Sequence, residues 1–63
     1  MRIKQIRSEL KMSQAELARR CGVTQAAISK YEDGKREPSL AMLKKIAAVL
    51  GVSVDELIKD IAP

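Results

Sequence analysis

Apolar residues at the start of the chain recur at helical spacing. Ile3, Ile6 and Leu10 fall on one face of a helix whose other positions are mostly charged or polar. This pattern predicts an amphipathic helix from about residue 2 to Lys11. We expect Met12 to end the helix and the three apolar side chains to face the core.

A second amphipathic helix is predicted from the residues that follow. Ser13 stands three residues before Glu16, which is the spacing of a capping box, where the serine hydroxyl caps the helix and the glutamate reaches back to its start. Gly22 supplies a left-handed stop. The inward stripe of this helix is expected to consist of Leu17, Ala18 and Cys21.

A very short turn joins the second helix to a third. Only Val23 separates Gly22 from Thr24, which is a good N-cap. The next residues, Gln25–Asp33, are predicted to form a helix that Gly34 stops. The second and third helices are therefore expected to lie close together.

Two more helices are predicted in the second half of the chain. Pro38 discourages helix in the residue before it, and Ser39 can cap a fourth helix that Gly51 closes. Ser53 and Glu56 form a second capping box, at the start of a short fifth helix. The buried sides are expected to hold Leu40, Leu43, Ile46, Ala47 and Leu50 in the fourth helix, and Val54, Leu57, Ile58 and Ile61 in the fifth.

The chain fits one small domain. Its 63 residues contain no alternating strand pattern, repeat or linker, so we expect an all-α fold, a compact five-helix bundle over residues 1–63. The longest apolar run, Ile46–Val54, is too short and too interrupted to span a membrane. The single cysteine, Cys21, cannot staple the fold, which favours a cytoplasmic location. Its place on the inward stripe predicts a buried side chain.

Charge and side-chain chemistry narrow the function classes. Twelve Lys and Arg residues against eight Asp and Glu residues leave a net charge of +4, which favours a polyanionic partner such as nucleic acid. The chain has no histidine, and its carboxylates are scattered among basic neighbours, so no acid/base pair, nucleophile or metal set stands out. We expect no enzymatic activity, no cofactor, no small-molecule substrate and no membrane partner.

Residues 14–33 carry the strongest indication of function. Two helices that pack at about 90 to 120° across a short turn containing glycine form the unit that puts its second helix into the major groove of DNA. Ala18 is small where the helices are expected to cross, and Gly22 permits the tight turn. Val23 and Ile28 are expected to fill the wedge between the helices.

The third helix has one face free for a partner. With Gln25 at zero and about 100° per residue, Ile28 and Tyr31 fall at about 300° and 240° and mark the core side. Tyr31 is therefore predicted to pack in the core and not to stack on a base. Gln, Ser and Lys side chains can hydrogen-bond to base edges, and an alanine methyl can touch thymine. The free face holds Gln25, Ala26, Ser29, Lys30 and Asp33.

The chain resembles a known family of regulators. The likeness to the helix-turn-helix of lambda-type phage repressors and the related XRE family of bacterial regulators lies in the run SQAELARRCGVTQAAISKYEDGKREPS. The rest of that family's five-helix domain resembles the trailing pattern LAMLKKIAAVLGVSVDELI. The resemblance implies a repressor-like transcriptional regulator that binds specific double-stranded DNA. It also implies a recognition helix over about residues 25–33 and a homodimer on a pseudo-palindromic operator.

The resemblance assigns roles to individual residues. It implies an ion pair between Arg7 of the first helix and Glu32 of the third, and Glu32 falls at about 340° on the third helix, at the edge of the core. Base contacts are expected from Gln25, Ala26, Ser29 and Lys30. Backbone phosphates are expected to be held by Gln14, Thr24, Lys35 and Arg36.

Apolar residues near the C-terminus leave other functions open. Either they pack in the core against the fourth helix, or some of them, such as Val52 and Ile61, remain at the surface and form a dimer seam, that is, an apolar contact between two copies. A protein-interaction module, such as an antitoxin or adaptor, would use the same apolar surface. A redesigned scaffold without function is the last alternative. A solvated surface is expected for Arg19, Arg20, Lys44 and Lys45.

Overall fold

Five α-helices follow one another along residues 1–59, which are the residues that this computed structural model describes. The all-α five-helix fold expected from the sequence is confirmed, and residues 1–59 contain no strand. None of the helices in this range is long and apolar enough to cross a membrane. Ile61, predicted to be buried or to line a seam, lies outside the described residues. The helices are α1 Ile3–Glu9, α2 Gln14–Cys21, α3 Gln25–Asp33, α4 Leu40–Leu50 and α5 Val54–Ile58.

Hydroxyl side chains cap four of the five helices. The side-chain oxygens of Ser13, Thr24, Ser39 and Ser53 each accept a hydrogen bond, of 3.0 or 3.1 Å, from the backbone N–H three residues later. Each bond satisfies a donor that the first turn of a helix leaves without an intrahelical acceptor. The predicted starts of α2 to α5 are therefore confirmed.

The two predicted capping boxes form only in part. The Glu16 carboxylate accepts hydrogen bonds from Arg19 and Arg20, and the Glu56 carboxylate pairs with Arg2 of the N-terminal segment. Guanidinium groups bind a carboxylate more strongly than a neutral backbone N–H does. Nearby arginines therefore displace the second half of each box.

The end of α1 differs from the prediction by two residues. The helix ends at Glu9 instead of Lys11, and Lys11 has a left-handed φ of 56°. Leu10, expected on the inward face, is 50% exposed. Leu10 is the C-cap of α1, so it lies at the end of the helix, where fewer neighbours cover its side chain.

The core forms around α2, which packs on both α3 and α4. Cys21 and Tyr31 lie in this core, as predicted, at 3% and 8% exposure. Among the described residues the fully buried side chains of largest volume are Ile3, Leu17, Ile28, Ile46 and Leu57.

Two other residues predicted to be buried are exposed. Leu40 is 62% exposed and Ile58 is 46% exposed, whereas Val52, one of the residues considered for a dimer seam, is partly buried against the core. Leu40 is the first residue of α4 and Ile58 is the last residue of α5. Each therefore lies at the end of its helix, where fewer neighbours cover the side that faces the core.

Candidate nucleic-acid interface

The turn between α2 and α3 is held by local hydrogen bonds. Gly22 adopts a left-handed φ of 73°, and the Val23 N–H donates to the Ala18 carbonyl at 3.0 Å. This is a Schellman ending, which stops α2 within two residues. Thr24 then caps α3 at once. The chain therefore makes the tight turn that a helix-turn-helix requires.

Helices α2 and α3 pack closely against each other. Ala18 is 3% exposed and Ile28 is completely buried, and Val23 and Ala27 pack against the same core cluster. Small side chains let two helices approach closely, and the larger ones fill the space beside the crossing. The α2–α3 unit is thereby tied to the rest of the bundle.

The exposed face of α3 carries polar side chains and small side chains. Gln25, Ala26 and Lys30 are exposed, and Ser29 is partly buried. Ile28 and Tyr31 lie on the opposite, buried side. The structure therefore brings the four predicted base-contacting residues to the surface that the core leaves free.

Arg7 and Glu32 form a partly buried ion pair between α1 and α3. Arg7 Nε donates to Glu32 Oε2 at 2.8 Å, and Arg7 Nη2 donates to Glu32 Oε1 at 3.1 Å. The third nitrogen, Nη1, donates to the Met12 carbonyl at 2.8 Å. The side chains are only 12% and 2% exposed. One guanidinium thus joins α1, the α1–α2 connection and α3.

Gln14 extends this network to the first residue of α3, a link that the sequence analysis missed. Its Nε2 donates to Glu32 Oε1 at 2.9 Å, and its Oε1 accepts from Gln25 Nε2 at 3.4 Å. An amide nitrogen carries two hydrogens, so one donor of Gln14 stays available to a partner. The one signal in the sequence is that Gln14 and Gln25 are the first residues of the two helices.

The charge of Glu32 is stabilised by its neighbours. Burial raises the pKa of the Glu32 carboxyl, but hydrogen bonds from Arg7 and Gln14, together with the charges of Arg7 and Lys4, outweigh that effect. The pKa therefore lies below its ordinary value, and the carboxylate remains ionised at neutral pH.

The loop after α3 carries two exposed cations. The backbone N–H groups of Lys35 and Arg36 both donate to the Lys30 carbonyl, at 2.9 and 3.4 Å, so the loop folds back on the end of α3. Arg36 lines an open groove of about 600 Å³ together with Thr24 and Ser39, the caps of α3 and α4. Two of the predicted phosphate contacts, Thr24 and Arg36, therefore share one groove.

The basic side chains on α2 form ion pairs with an acidic residue, whereas those on α3 and in the loop after it form none with any described residue. Within residues 1–59, Lys30, Lys35 and Arg36 have no ion-pair partner. Arg19 and Arg20 are engaged by Glu16, and their hydrogen bonds hold the pKa of the Glu16 carboxyl below its ordinary value. Of the cations on α2, on α3 and in the following loop, those left for an anionic ligand are therefore Lys30 on the free face of α3, and Lys35 and Arg36 in the loop.

Side chains that could ligate a metal ion do not cluster in residues 1–59. In the described range there is no cluster of three or more His, Cys, Asp or Glu residues that could hold a metal ion. Cys21 is buried, and burial raises the pKa of its thiol. The thiolate, which is the nucleophilic and metal-binding form, is therefore disfavoured.

Sequence comparison relates the chain to helix-turn-helix proteins over nearly its whole length. The family model described as Helix-turn-helix matches residues 3–57. The SPbeta prophage-derived HTH-type transcriptional regulator YonR of Bacillus subtilis is 43% identical over 58 residues, which are 92% of this chain and 54% of that protein. An HTH-type transcriptional regulator of Archaeoglobus fulgidus is 41% identical over 56 residues, 89% of this chain and 79% of that protein. The chain thus spans about half the length of the first relative.

Structural comparison identifies the same fold in a solved regulator. SinR, described as the master regulator for biofilm formation and crystallised in complex with DNA, is 42% identical with a TM-score of 0.85, covering 92% of this chain and 94% of that chain. The N-terminal DNA-binding domain of SinR from Bacillus subtilis is 40% identical with a TM-score of 0.86, covering 98% and 91%. Together with the family match over residues 3–57, these likenesses establish that the chain belongs to the lambda-repressor-like, XRE-type helix-turn-helix family of transcriptional regulators.

Proposed function

We propose that the chain binds specific double-stranded DNA sequences as a transcriptional regulator, with α3 in the major groove. The observation that carries this proposal is the free polar face of α3, held against α2 by a tight turn and bordered by unpaired cations. A similar domain, SinR, has been crystallised with DNA. A regulator of this kind acts in the cytoplasm on nucleoid DNA and needs no cofactor, and we propose no enzymatic activity.

The base contacts come from the first six residues of α3, residues 25–30. Gln25 can form two hydrogen bonds with adenine, and Lys30 can reach O6 and N7 of guanine. Ser29 can hydrogen-bond to adenine or guanine, and its short side chain requires a closer approach of the helix. Ala26 can touch a thymine methyl. Since Ala26 and Ala27 are small, the helix backbone can approach the groove closely.

Phosphate contacts surround this helix on both sides. Gln14 lies at the start of α2 with one free amide hydrogen, and Thr24 and Arg36 line the groove on the other side of α3. Lys35 is exposed beside Arg36. Contacts on both flanks of α3 would fix its register, because phosphate contacts orient a protein on the duplex.

The regulator acts as a homodimer on a pseudo-palindromic operator. Two recognition helices of a dimer then enter successive major grooves about 34 Å apart. Ile58 is 46% exposed at the end of α5 and supplies apolar surface for the contact between the two copies. The same exposed residue favours one second candidate, an interaction module of the antitoxin or adaptor type, which would bind another protein at this end of the bundle.

Selection from a randomised duplex pool at near-physiological salt tests the proposed function. We expect enrichment of an inverted repeat with half-sites about one helical turn apart. Residual binding without sequence enrichment would leave only an electrostatic surface, and would overturn specific recognition in favour of the interaction module. A variant with Gln25→Ala serves as a matched control, because it removes one proposed base contact at an exposed position.

A further inference from the structure

Four helices of this chain end in the same way, and one of them has an unexpected residue. In α2, α3 and α4 a glycine with φ of 73 to 75° follows the helix. At the end of α1 the same position is occupied by Lys11, with φ of 56°. The hydrogen bonds match those of a Schellman ending, since Met12 N–H donates to the Arg7 carbonyl and Lys11 N–H to the Ser8 carbonyl, both at 3.0 Å.

The left-handed conformation makes Lys11 a costly choice for the fold. A side chain in this region crowds its own backbone, which is why glycine is usual there. A Cβ atom built at Gly22, Gly34 or Gly51 would meet no atom within 4 Å, so glycine is favoured at these endings by backbone conformation and not by lack of space. The Lys11 side chain is exposed and forms no hydrogen bond or ion pair within residues 1–59. No side-chain hydrogen bond or ion pair in this range offsets the cost.

Hydrogen bonds fix the position of Lys11 relative to the recognition helix. Met12 directly follows Lys11, and its carbonyl accepts a hydrogen bond from Arg7 Nη1 at 2.8 Å. The other two nitrogens of Arg7 donate to the Glu32 carboxylate. Glu32 in turn holds Gln14, whose side chain meets Gln25. Lys11 also lies only three residues before Gln14, a distance of at most about 11 Å along the chain. Its charge is therefore carried next to the start of α2.

We propose that Lys11 is an additional DNA-backbone contact, kept at a glycine position because its ammonium group binds a phosphate beside the start of α2. The inference rests on the proposed function, since it requires DNA to lie against α2 and α3. Residues that break a local structural rule without any compensating contact are expected at functional sites. A flexible lysine stem suits a single-point phosphate contact.

Replacing Lys11 with glycine separates stability from DNA binding. Lys11→Gly removes both the strain and the charge, so we expect the melting temperature to rise by about 4 to 8 °C. On the duplex selected by the wild-type protein, we expect the slope of log affinity against log salt to become shallower by about 0.9. Affinity at 0.1 M salt should fall roughly tenfold by the same relation. Relative preference among sequences should not change.

Two variants control for charge and position. Lys11→Arg keeps the charge and the strain, so its salt slope should equal that of the wild type. Lys59→Gln removes a charge from the residue that follows α5, a helix that packs mainly on α4, and should also leave the slope unchanged. A more stable Lys11→Gly variant with an unchanged slope would overturn the proposal while wild-type DNA binding stood. Absence of specific binding by the wild type would overturn both proposals.

Discussion

Arg7 and Gln14 donate hydrogen bonds to the same carboxylate oxygen, Glu32 Oε1, at 3.1 and 2.9 Å. The first residue belongs to α1 and the second to α2, whereas Glu32 lies near the end of α3. A single acidic side chain thereby positions three helices relative to one another. Because Gln14 also meets Gln25, this network connects the interior of the bundle to the surface that we propose contacts bases.

Neutralising Glu32 should destabilise the domain. In Glu32→Gln the Arg7 guanidinium, whose side chain is 12% exposed, loses its charged partner. Removing one member of a buried pair costs about 3 kcal/mol in such settings, a large part of the total for a chain of this size. Urea denaturation measures the loss. Arg19 gives the control, because its side chain is 71% exposed in the i,i+3 pair with Glu16, and Arg19→Ala should change stability little.

Stability should fall in mild acid because of Glu32. Its pKa is lowered in the folded state, whereas the unfolded chain takes up this proton at about pH 4.3. The unfolded state therefore binds more protons, and the contribution is complete above about pH 5 and lost as the pH falls through the folded pKa. Denaturation of the wild type and Glu32→Gln from pH 7 to pH 3 checks this. A stability difference that stayed constant over the whole range would contradict the assignment.

Gln25 should control sequence preference. Gln25→Ala should cost about 1 to 3 kcal/mol on the selected duplex and little on unrelated sequences, because a bidentate contact to a base is lost. Gln25 is exposed, so the fold should survive, which circular dichroism can verify. Fluorescence anisotropy with the selected duplex and a scrambled duplex gives the ratio of the two dissociation constants. Equal losses on both duplexes would deny Gln25 its role in base recognition.

Lys35 should contribute to the affinity for DNA but not to the preference among DNA sequences. Its side chain is exposed and unpaired among residues 1–59, and we assign it to a phosphate. Lys35→Ala should make the salt slope of binding shallower by about 0.9, with the ranking of sequences preserved. A changed ranking at constant slope would instead make Lys35 a base contact.

The dimer contact can be tested at Ile58. Ile58→Lys should weaken binding to an inverted repeat while leaving affinity for an isolated half-site unchanged, because the 46% exposed side chain belongs to the proposed seam and not to the fold's core. Sedimentation with each duplex gives the number of copies bound. Leu10→Lys, at a residue that is 50% exposed directly after α1, is the matched control. If two copies of the Ile58→Lys variant bind the inverted repeat as tightly as the wild type does, this seam is excluded.

The boundaries of α2, α3 and α4 were predictable because they depend on few neighbouring residues. Ser13, Thr24 and Ser39 each satisfy a donor only three residues away, and Gly22 and Gly34 end helices through their own φ. The same local chemistry explains why the two buried positions on α3, Ile28 and Tyr31, followed from angular spacing. Such features can be derived without knowing where the other helices lie.

Features that depend on how the helices pack against one another were not predictable. Leu10, Leu40 and Ile58 fit an apolar periodicity but lie at helix ends, where too few neighbours cover them. The contact between Gln14 and Gln25 depends in a similar way on how α2 and α3 cross. Spacing along one helix gives the direction of a side chain, but its partner is set by the packing of two.

Mapping the DNA-bound surface by NMR tests the central claim most directly. Backbone amide shifts would be followed while the 15N-labelled wild-type protein is titrated with the selected duplex. We expect the largest changes at Gln14, along Gln25–Lys30 and at Lys35 and Arg36, because these residues lie on or beside the free face of α3. Changes confined to α4 and α5, with α3 unaffected, would contradict recognition by this helix.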